Sequence, residues 1–187
     1  MSIAAAVRKN GETAIAADSQ INFGSVKVPL NNYRPTKVRR VGTSYLAMSG
    51  WGIYENIFAA YLSKSKSPRL DSEKAIFRFF MEFWRDLHEQ YSFVNDQSHQ
   101  EDPSPFADLD ASFLVASRKG IFHVSGNMTV TTFEQYAAIG SGADYALGAL
   151  HALYEEDLDA AALAGRACGS AMAFNIYCGG EIDVLTV

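Results

Sequence analysis

Apolar and polar positions change period several times along the chain, and the changes mark the elements. Ile3 to Arg8 reads as a strand, Asn10-Gly11 is a strong two-residue hairpin signal, and Thr13-Ala14-Ile15-Ala16-Ala17 supplies the partner strand, which stops at Asp18-Ser19-Gln20. A polar loop with Gly24, Pro29, Asn31-Asn32 and Pro35 leads to a strand over Lys37-Val38-Arg39-Arg40-Val41. Gly42-Thr43-Ser44 turns the chain into Tyr45-Leu46-Ala47-Met48, a second hairpin. The period then lengthens. Ile53, Ile57, Phe58, Tyr61 and Leu62 recur at helical spacing, and Ser67-Pro68 closes that segment.

The next helix opens at Asp71 as N-cap, with Glu73 in its first turn near the positive end of the dipole. Ile76, Phe80, Phe83 and Leu87 form one stripe; Phe77, Trp84 and Tyr91 form a second, and Phe79 widens it. A surface helix needs a single apolar face of about 100°. This one is buried on two sides within the domain, or turns one side to another subunit. A polar loop spans 95–108. Strands return at Ser112-Phe113-Leu114-Val115, Ile121-Phe122-His123-Val124, Thr129–Thr132 and Ala137-Ala138-Ile139. Ser141 and Asp144 make an S-x-x-D capping box before a helix lined by Tyr145, Leu147, Leu150, Leu153 and Tyr154. Asp159 caps an Ala-rich helix to about Phe174, and Ile182 to Val187 is a last strand.

Strands and helices come in clusters rather than in strict alternation, which excludes a doubly wound parallel sheet. Two strand layers packed together, with helix pairs on both outer faces, satisfy every apolar stripe. The expected class is α+β, a four-layer αββα sandwich in one domain over residues 1–187. No internal repeat is present.

Composition narrows the functions. The chain has 187 residues, 48% of them hydrophobic, enough for a sizeable core. Its net charge of −5 speaks against a nucleic-acid binder held by phosphate neutralisation. No stretch reaches the roughly 18–20 apolar residues of a membrane span, so no membrane partner is expected. Cys168 and Cys178 form no disulfide framework or metal-ligand spacing, and His88, His99, His123 and His151 show none either. Cys168 reads as core packing and His123 as a strand-face residue. No metal or cofactor is expected, and a reduced, cytoplasmic setting is the simplest reading. Gly140-Ser141-Gly142 fails as a dinucleotide loop because Tyr145 replaces the third glycine, and no Gly-x-Ser-x-Gly elbow exists.

One candidate chemistry remains, at the start of the chain. Ser2 follows Met1, and a small second residue permits removal of the methionine, which would leave a serine whose own α-amine adjoins its hydroxyl. An α-amine titrates at about 7.7–8.0 and is partly neutral near pH 7, so it can act as the base for that hydroxyl. Many proteins begin Met-Ser, so the pair gains meaning only from its surroundings. Ser2 runs straight into the first strand, and with Asn10-Gly11 at the hairpin tip, Ser2 and Asp18 fall at the same open end. The bland reading of Asp18 is a turn-forming aspartate.

The run Ser2-Ile3 … Val7-Arg8-Lys9-Asn10-Gly11 … Ile15-Ala16-Ala17-Asp18-Ser19-Gln20 resembles the opening of the bacterial HslV peptidase and its proteasome β-subunit relatives. Thr36-Lys37-Val38-Arg39-Arg40-Val41 resembles that family's lysine-bearing strand, after a slightly longer loop. Met48-Ser49-Gly50-Trp51 stands in place of its oxyanion turn, and Ala138-Ile139-Gly140-Ser141-Gly142-Ala143-Asp144 matches the segment that sets a serine beside the site. The resemblance runs in order along nearly the whole chain, weakest over 60–108, and the lack of an extension before the first strand is like β-type subunits. The serine and the longer loop are similar to proteasome-like bacterial homologues distinct from HslV.

The resemblance implies the N-terminal-nucleophile (Ntn) hydrolase fold and a peptidase subunit of a self-compartmentalising, homo-oligomeric double ring. Peptides or unfolded proteins would be substrates, with an AAA+ unfoldase as partner. It implies Ser2 as nucleophile, Lys37 as the neighbouring positive charge, Asp18 as the partner that holds Lys37, Gly50 N–H as oxyanion donor and Ser141 near the α-amine. Met48 would shape the specificity pocket, with Ile21 as a further wall. Two departures accompany it. Serine stands where most members have threonine, losing the β-branch that restricts χ1, and Ala173 stands where an acidic residue is often found. A ring-forming scaffold with a decayed site and a small-amide hydrolase are the alternatives.

Overall fold

The computed structural model describes residues 2–64, 68–91 and 109–187. In chain order the strands and helices are β1 (Ala4–Lys9), β2 (Glu12–Asp18), β3 (Asn22–Phe23), β4 (Val26–Lys27), β5 (Val38–Val41), β6 (Ser44–Gly50), α1 (Gly52–Lys64) and α2 (Glu73–Gln90). They continue as β7 (Ala111–Ser117), β8 (Gly120–Val124), β9 (Val130–Phe133), β10 (Tyr136–Ile139), α3 (Ala143–Leu153), α4 (Ala160–Phe174) and β11 (Ile182–Thr186).

The expected first hairpin forms with both turn residues left-handed, Asn10 at φ 52° and Gly11 at φ 81°, which matches the right-handed twist of the strands. That turn sets the register Ala4↔Ala17 through Lys9↔Glu12. β10 and β11 add to its two edges, giving a sheet ordered β10-β1-β2-β11; the second sheet runs β5-β6-β7-β8-β9.

Side-chain alternation then builds the layers. Ala4, Ala6, Ile15 and Ala17 point one way and pack against Val38, Ala47, Leu114, Ala116 and Ile121 of the second sheet. Ala5, Val7, Ala14 and Ala16 point the other way, onto Leu163, Ala164, Ala167 and Cys168 of α4. The far face of the second sheet presents Leu46, Phe113 and Val115 to Phe58 of α1 and to Phe80, Phe83 and Leu87 of α2. The rings of Phe80 and Phe113 approach to 4.6 Å between centroids, and Phe58 meets Phe83 edge-on at 5.1 Å. The order of layers is helix, sheet, sheet, helix, the α+β sandwich expected.

Several local expectations change. The polar loop after Gln20 contains the short β3–β4 hairpin. Ser72, not Asp71, caps α2, its Oγ accepting from Ala75 N at 3.4 Å, while Asp71 pairs with Arg69 at 3.0 Å. Gly142 occupies the N-cap of α3 and no side chain caps it, because Ser141 Oγ is directed elsewhere. Asp159 does cap α4, accepting from Ala162 N at 2.7 Å. On α2 the first stripe is fully buried, whereas Phe77 of the second stays 50% exposed. Phe79 of that second stripe is buried and Trp84 and Tyr91 pack partly against the same core, so Phe77 is the member left facing solvent. The expected loop over 95–108, His99, Ser67 and Met1 lie outside the described residues.

Candidate active site

The site forms where the open ends of both sheets meet. β1 and β2 end their ladder at Ala4↔Ala17, and beyond it the Asp18 side chain replaces the next backbone acceptor: Ile3 N donates to Asp18 Oδ1 at 3.0 Å, while Asp18 N donates to Ile3 O at 3.2 Å. Lys37, just before β5, donates to the same Oδ1 at 2.7 Å. The other carboxylate oxygen accepts from Gln20 N at 3.2 Å and Gly179 N at 3.0 Å. Four donors thus surround a side chain with no exposure, one of them a full positive charge that is itself 7% exposed. An ionised carboxylate is acceptor-only, and this arrangement uses both its oxygens. Asp18 keeps its turn role, its Oδ2 accepting from Gln20 N two residues on, and is in addition an anchor that joins β1, β5 and the segment after α4.

Ser2 is buried, at 6% exposure, and is gripped from the opposite side. Its carbonyl oxygen accepts from Ser141 Oγ and from Gly142 N, each at 3.4 Å. Gly140, at φ +99°, allows this approach: a Cβ there would overlap the Ser2 carbonyl and come within 3.2 Å of Ser49 Oγ. The ends of β6 and β10 therefore close on Ser2 together. Gly50 ends β6 opposite Ala111, and lines a cleft of about 750 Å³ with Ser49, Gly140, Ser141 and Asn22. A Cβ on Gly50 would lie 2.6 Å from Asp110 O, so only glycine fits.

The structure gathers Ser2, Asp18, Lys37, Gly50 and Ser141 into this region. Met48 and Ile21, expected to shape the specificity pocket, do not line this cleft. Met48 is 8% exposed in the core beneath α1, and the crevice it lines with Lys37, Arg39 and Glu55 holds only about 10 Å³, scarcely one water. Ile21 is half-buried, its carbonyl accepting from Val28 N at 3.0 Å at the base of the β3–β4 hairpin, and it lines neither cavity.

Sequence reasoning missed the segment after α4. Asn175 Nδ2 donates to Ser141 O at 2.5 Å, and Asn175 Oδ1 accepts from Tyr177 N at 2.9 Å. Cys178 Sγ lies 3.9 Å from Ser141 Oγ, and Gly179 supplies a donor to Asp18. Ala173 is exposed on α4 and brings no polar side chain to the site, whereas Asn175, two residues on, does. An asparagine just past a helix end and a Gly-Gly pair are ordinary turn signals; nothing local points to partners some 34 and 161 residues away. Neither cysteine is poised as a nucleophile. Burial and the charge of Asp18 push the Cys178 thiol up, and the same causes push Cys168 up to about 12.

No family model matches the chain. Among curated relatives, the ATP-dependent protease subunit HslV of Caulobacter sp. strain K31 is 30% identical over 185 residues, covering 96% of this chain and 90% of that protein. That of Petrotoga mobilis is 32% identical over 183 residues, 95% of this chain and 92% of that protein. Among solved structures, Thiobacillus denitrificans BPH in complex with epoxomicin superposes with a TM-score of 0.88 at 31% identity, over 99% of this chain and 97% of that one. Eukaryotic HslV from Trypanosoma brucei, at 19% identity and a TM-score of 0.66 over 98% of each chain, shares the fold. Full-length identity, the αββα sandwich and the order of the strands agree: the chain belongs to the HslV and proteasome β-subunit family of Ntn-hydrolase peptidases.

Proposed function

We propose that the chain is an N-terminal-serine peptidase in which removal of Met1 frees Ser2 to act as the nucleophile. The carrying observation is the shared oxygen of Asp18: one atom orients both the Ile3 amide, next to Ser2, and the Lys37 ammonium. In this reading the Ser2 α-amine takes the hydroxyl proton as Oγ attacks the scissile carbonyl, and Lys37 stabilises the developing alkoxide. Gly50 N–H donates to the oxyanion, a contribution of roughly 10²–10³ in rate for one donor. The terminal ammonium returns its proton to the leaving amine, and water, activated by the same amine, hydrolyses the ester. Ser141, held by Asn175, fixes the Ser2 carbonyl and with it the position of the terminal nitrogen. Serine lacks the methyl group of threonine, so the nucleophile's rotamer is less restricted.

Residues 1–187 act as one domain in this reading. The relatives' designation as ATP-dependent protease subunits supports protein or peptide substrates and action within an ATP-dependent assembly; a homo-oligomeric ring in the cytoplasm with an AAA+ unfoldase partner completes this reading. Among the described residues no helix is long and apolar enough to cross a membrane. Intact mass combined with labelling by a β-lactone or vinyl-sulfone probe tests the proposal. A mass lacking Met1 and an adduct on Ser2, abolished by Ser2→Ala, is expected. A Met1-bearing, unlabelled chain from processing-competent cells would leave the ring-scaffold reading, and turnover of small amides without peptides would leave the amidase reading.

A further inference from the structure

The cleft beside Gly50 carries a feature that the hydrolytic machinery does not use. Trp51 follows Gly50 directly, and Asp110 directly precedes β7; the register Gly50↔Ala111 brings the two side by side at the mouth. Trp51 Nε1 donates to Asp110 Oδ2 at 2.5 Å, yet the indole is 67% exposed. Exposing that much aromatic surface while fixing its orientation with a hydrogen bond leaves a flat π-face next to a carboxylate. Among the described residues, Asp110 is the one charged side chain lining this cleft, and no cation pairs with it.

We infer that Trp51 and Asp110 form a specificity site for a cationic side chain, so that the preferred substrates are peptides carrying lysine or arginine close to the scissile bond. The carboxylate supplies the counter-charge and the indole a cation–π face, the combination that recognises an ammonium or guanidinium. A neutral indole donor occupies one carboxylate oxygen without neutralising it, so the negative charge stays available to the substrate. Its field is felt nearby: burial and then the charge of Asp110 hold the Tyr54 phenol above its usual range. The 10 Å³ crevice at Met48 cannot take a long side chain, whereas the 750 Å³ cleft can. This assignment rests on the peptidase reading given above.

The test compares kcat/KM for matched blocked peptides that differ only in lysine, norleucine or glutamate at one position near the cleaved bond. Lysine is expected to lead norleucine by about 10–100-fold at low salt, and the lead to shrink as salt rises. Asp110→Asn should bring that ratio close to one, and Asp110→Lys should turn the preference towards glutamate, a gain that misfolding cannot mimic. A ratio near one in the unaltered chain, or one unmoved by Asp110→Asn, overturns the inference. Calorimetric binding of the lysine peptide to the Ser2→Ala chain separates the two claims. Lysine-selective binding lost in Ser2→Ala/Asp110→Asn, with no probe labelling of Ser2 in the unaltered chain, would sink catalysis and keep the cation site. Labelling without any charge preference would do the reverse.

Discussion

Lys37 Nζ lies 2.7 Å from Asp18 Oδ1, with the two side chains 7% and 0% exposed. A buried pair of this kind contributes little net stability when intact, because desolvation offsets attraction, but removing one partner strands the other. Lys37→Met is therefore expected to cost about 3–5 kcal/mol, since Asp18 keeps its three backbone donors but loses its counter-charge. Urea denaturation reads the stability, and labelling of Ser2 should fall away in the same variant. A stable, fully labelled Lys37→Met chain would contradict the mechanism.

Gly140 makes a sharper local test. Its φ of +99° and its contact with the Ser2 carbonyl leave no room for a methyl group. Gly140→Ala should push Ser2 away from Ser141 and cost about 1–3 kcal/mol of backbone strain. The acylation rate of Ser2 should drop at least tenfold. Labelling kinetics and a urea midpoint measured on the same sample distinguish a displaced nucleophile from an unfolded chain.

Asn175→Ala removes the donor to Ser141 O without touching any reacting group. The expected stability loss is about 1 kcal/mol, that of one hydrogen bond. Acylation should slow with its pH dependence altered, because Ser141 holds the Ser2 carbonyl and thus the terminal amine. Asn175→Gln, which retains the amide, should recover part of the rate. Full activity in Asn175→Ala would reduce the segment after α4 to scaffolding.

Alkaline stability follows from the thiols. Cys168, wholly buried, holds its proton up to about 12, whereas an unfolded cysteine releases it near 8.5. Between those values the unfolded chain is deprotonated and the folded chain is not. The contribution is thus complete below about pH 8.5 and lost as pH rises, by up to about 1.4 kcal/mol per unit. Urea midpoints at neutral and alkaline pH should fall less steeply in Cys168→Ala than in the unaltered chain. Equal slopes would place the alkaline sensitivity in other groups, such as Tyr54 and Tyr154, whose values burial also raises.

Elements governed by near neighbours were legible before any coordinates. Asn10-Gly11 dictates a two-residue turn, and that turn alone places Ser2 and Asp18 at one end. The clustering of strands and helices announces two strand layers between helix pairs, and Asp159 caps its helix as read. Capping at Asp71 and Ser141 was misread for one reason. Each of these side chains has a competing partner, two residues away for Asp71 and 139 residues away for Ser141, and the cap loses to it. Asp71 finds Arg69, leaving the cap to Ser72; Ser141 finds the carbonyl of Ser2.

Chain order alone thus pointed to the sandwich through periodicity and turn chemistry, which act over a few residues, and to the family and the proposed nucleophile with its acid and lysine through motifs that lie in sequence. Packing decided the rest: that Asn175 and Gly179 brace the site, that Met48 lies closed in the core, and that Trp51 and Asp110 share one cleft mouth. Those relationships join residues 34 to 161 positions apart, brought into contact by strand pairing within a sheet and by burying apolar faces between layers. No local rule encodes such distances, since they arise only when the layers close.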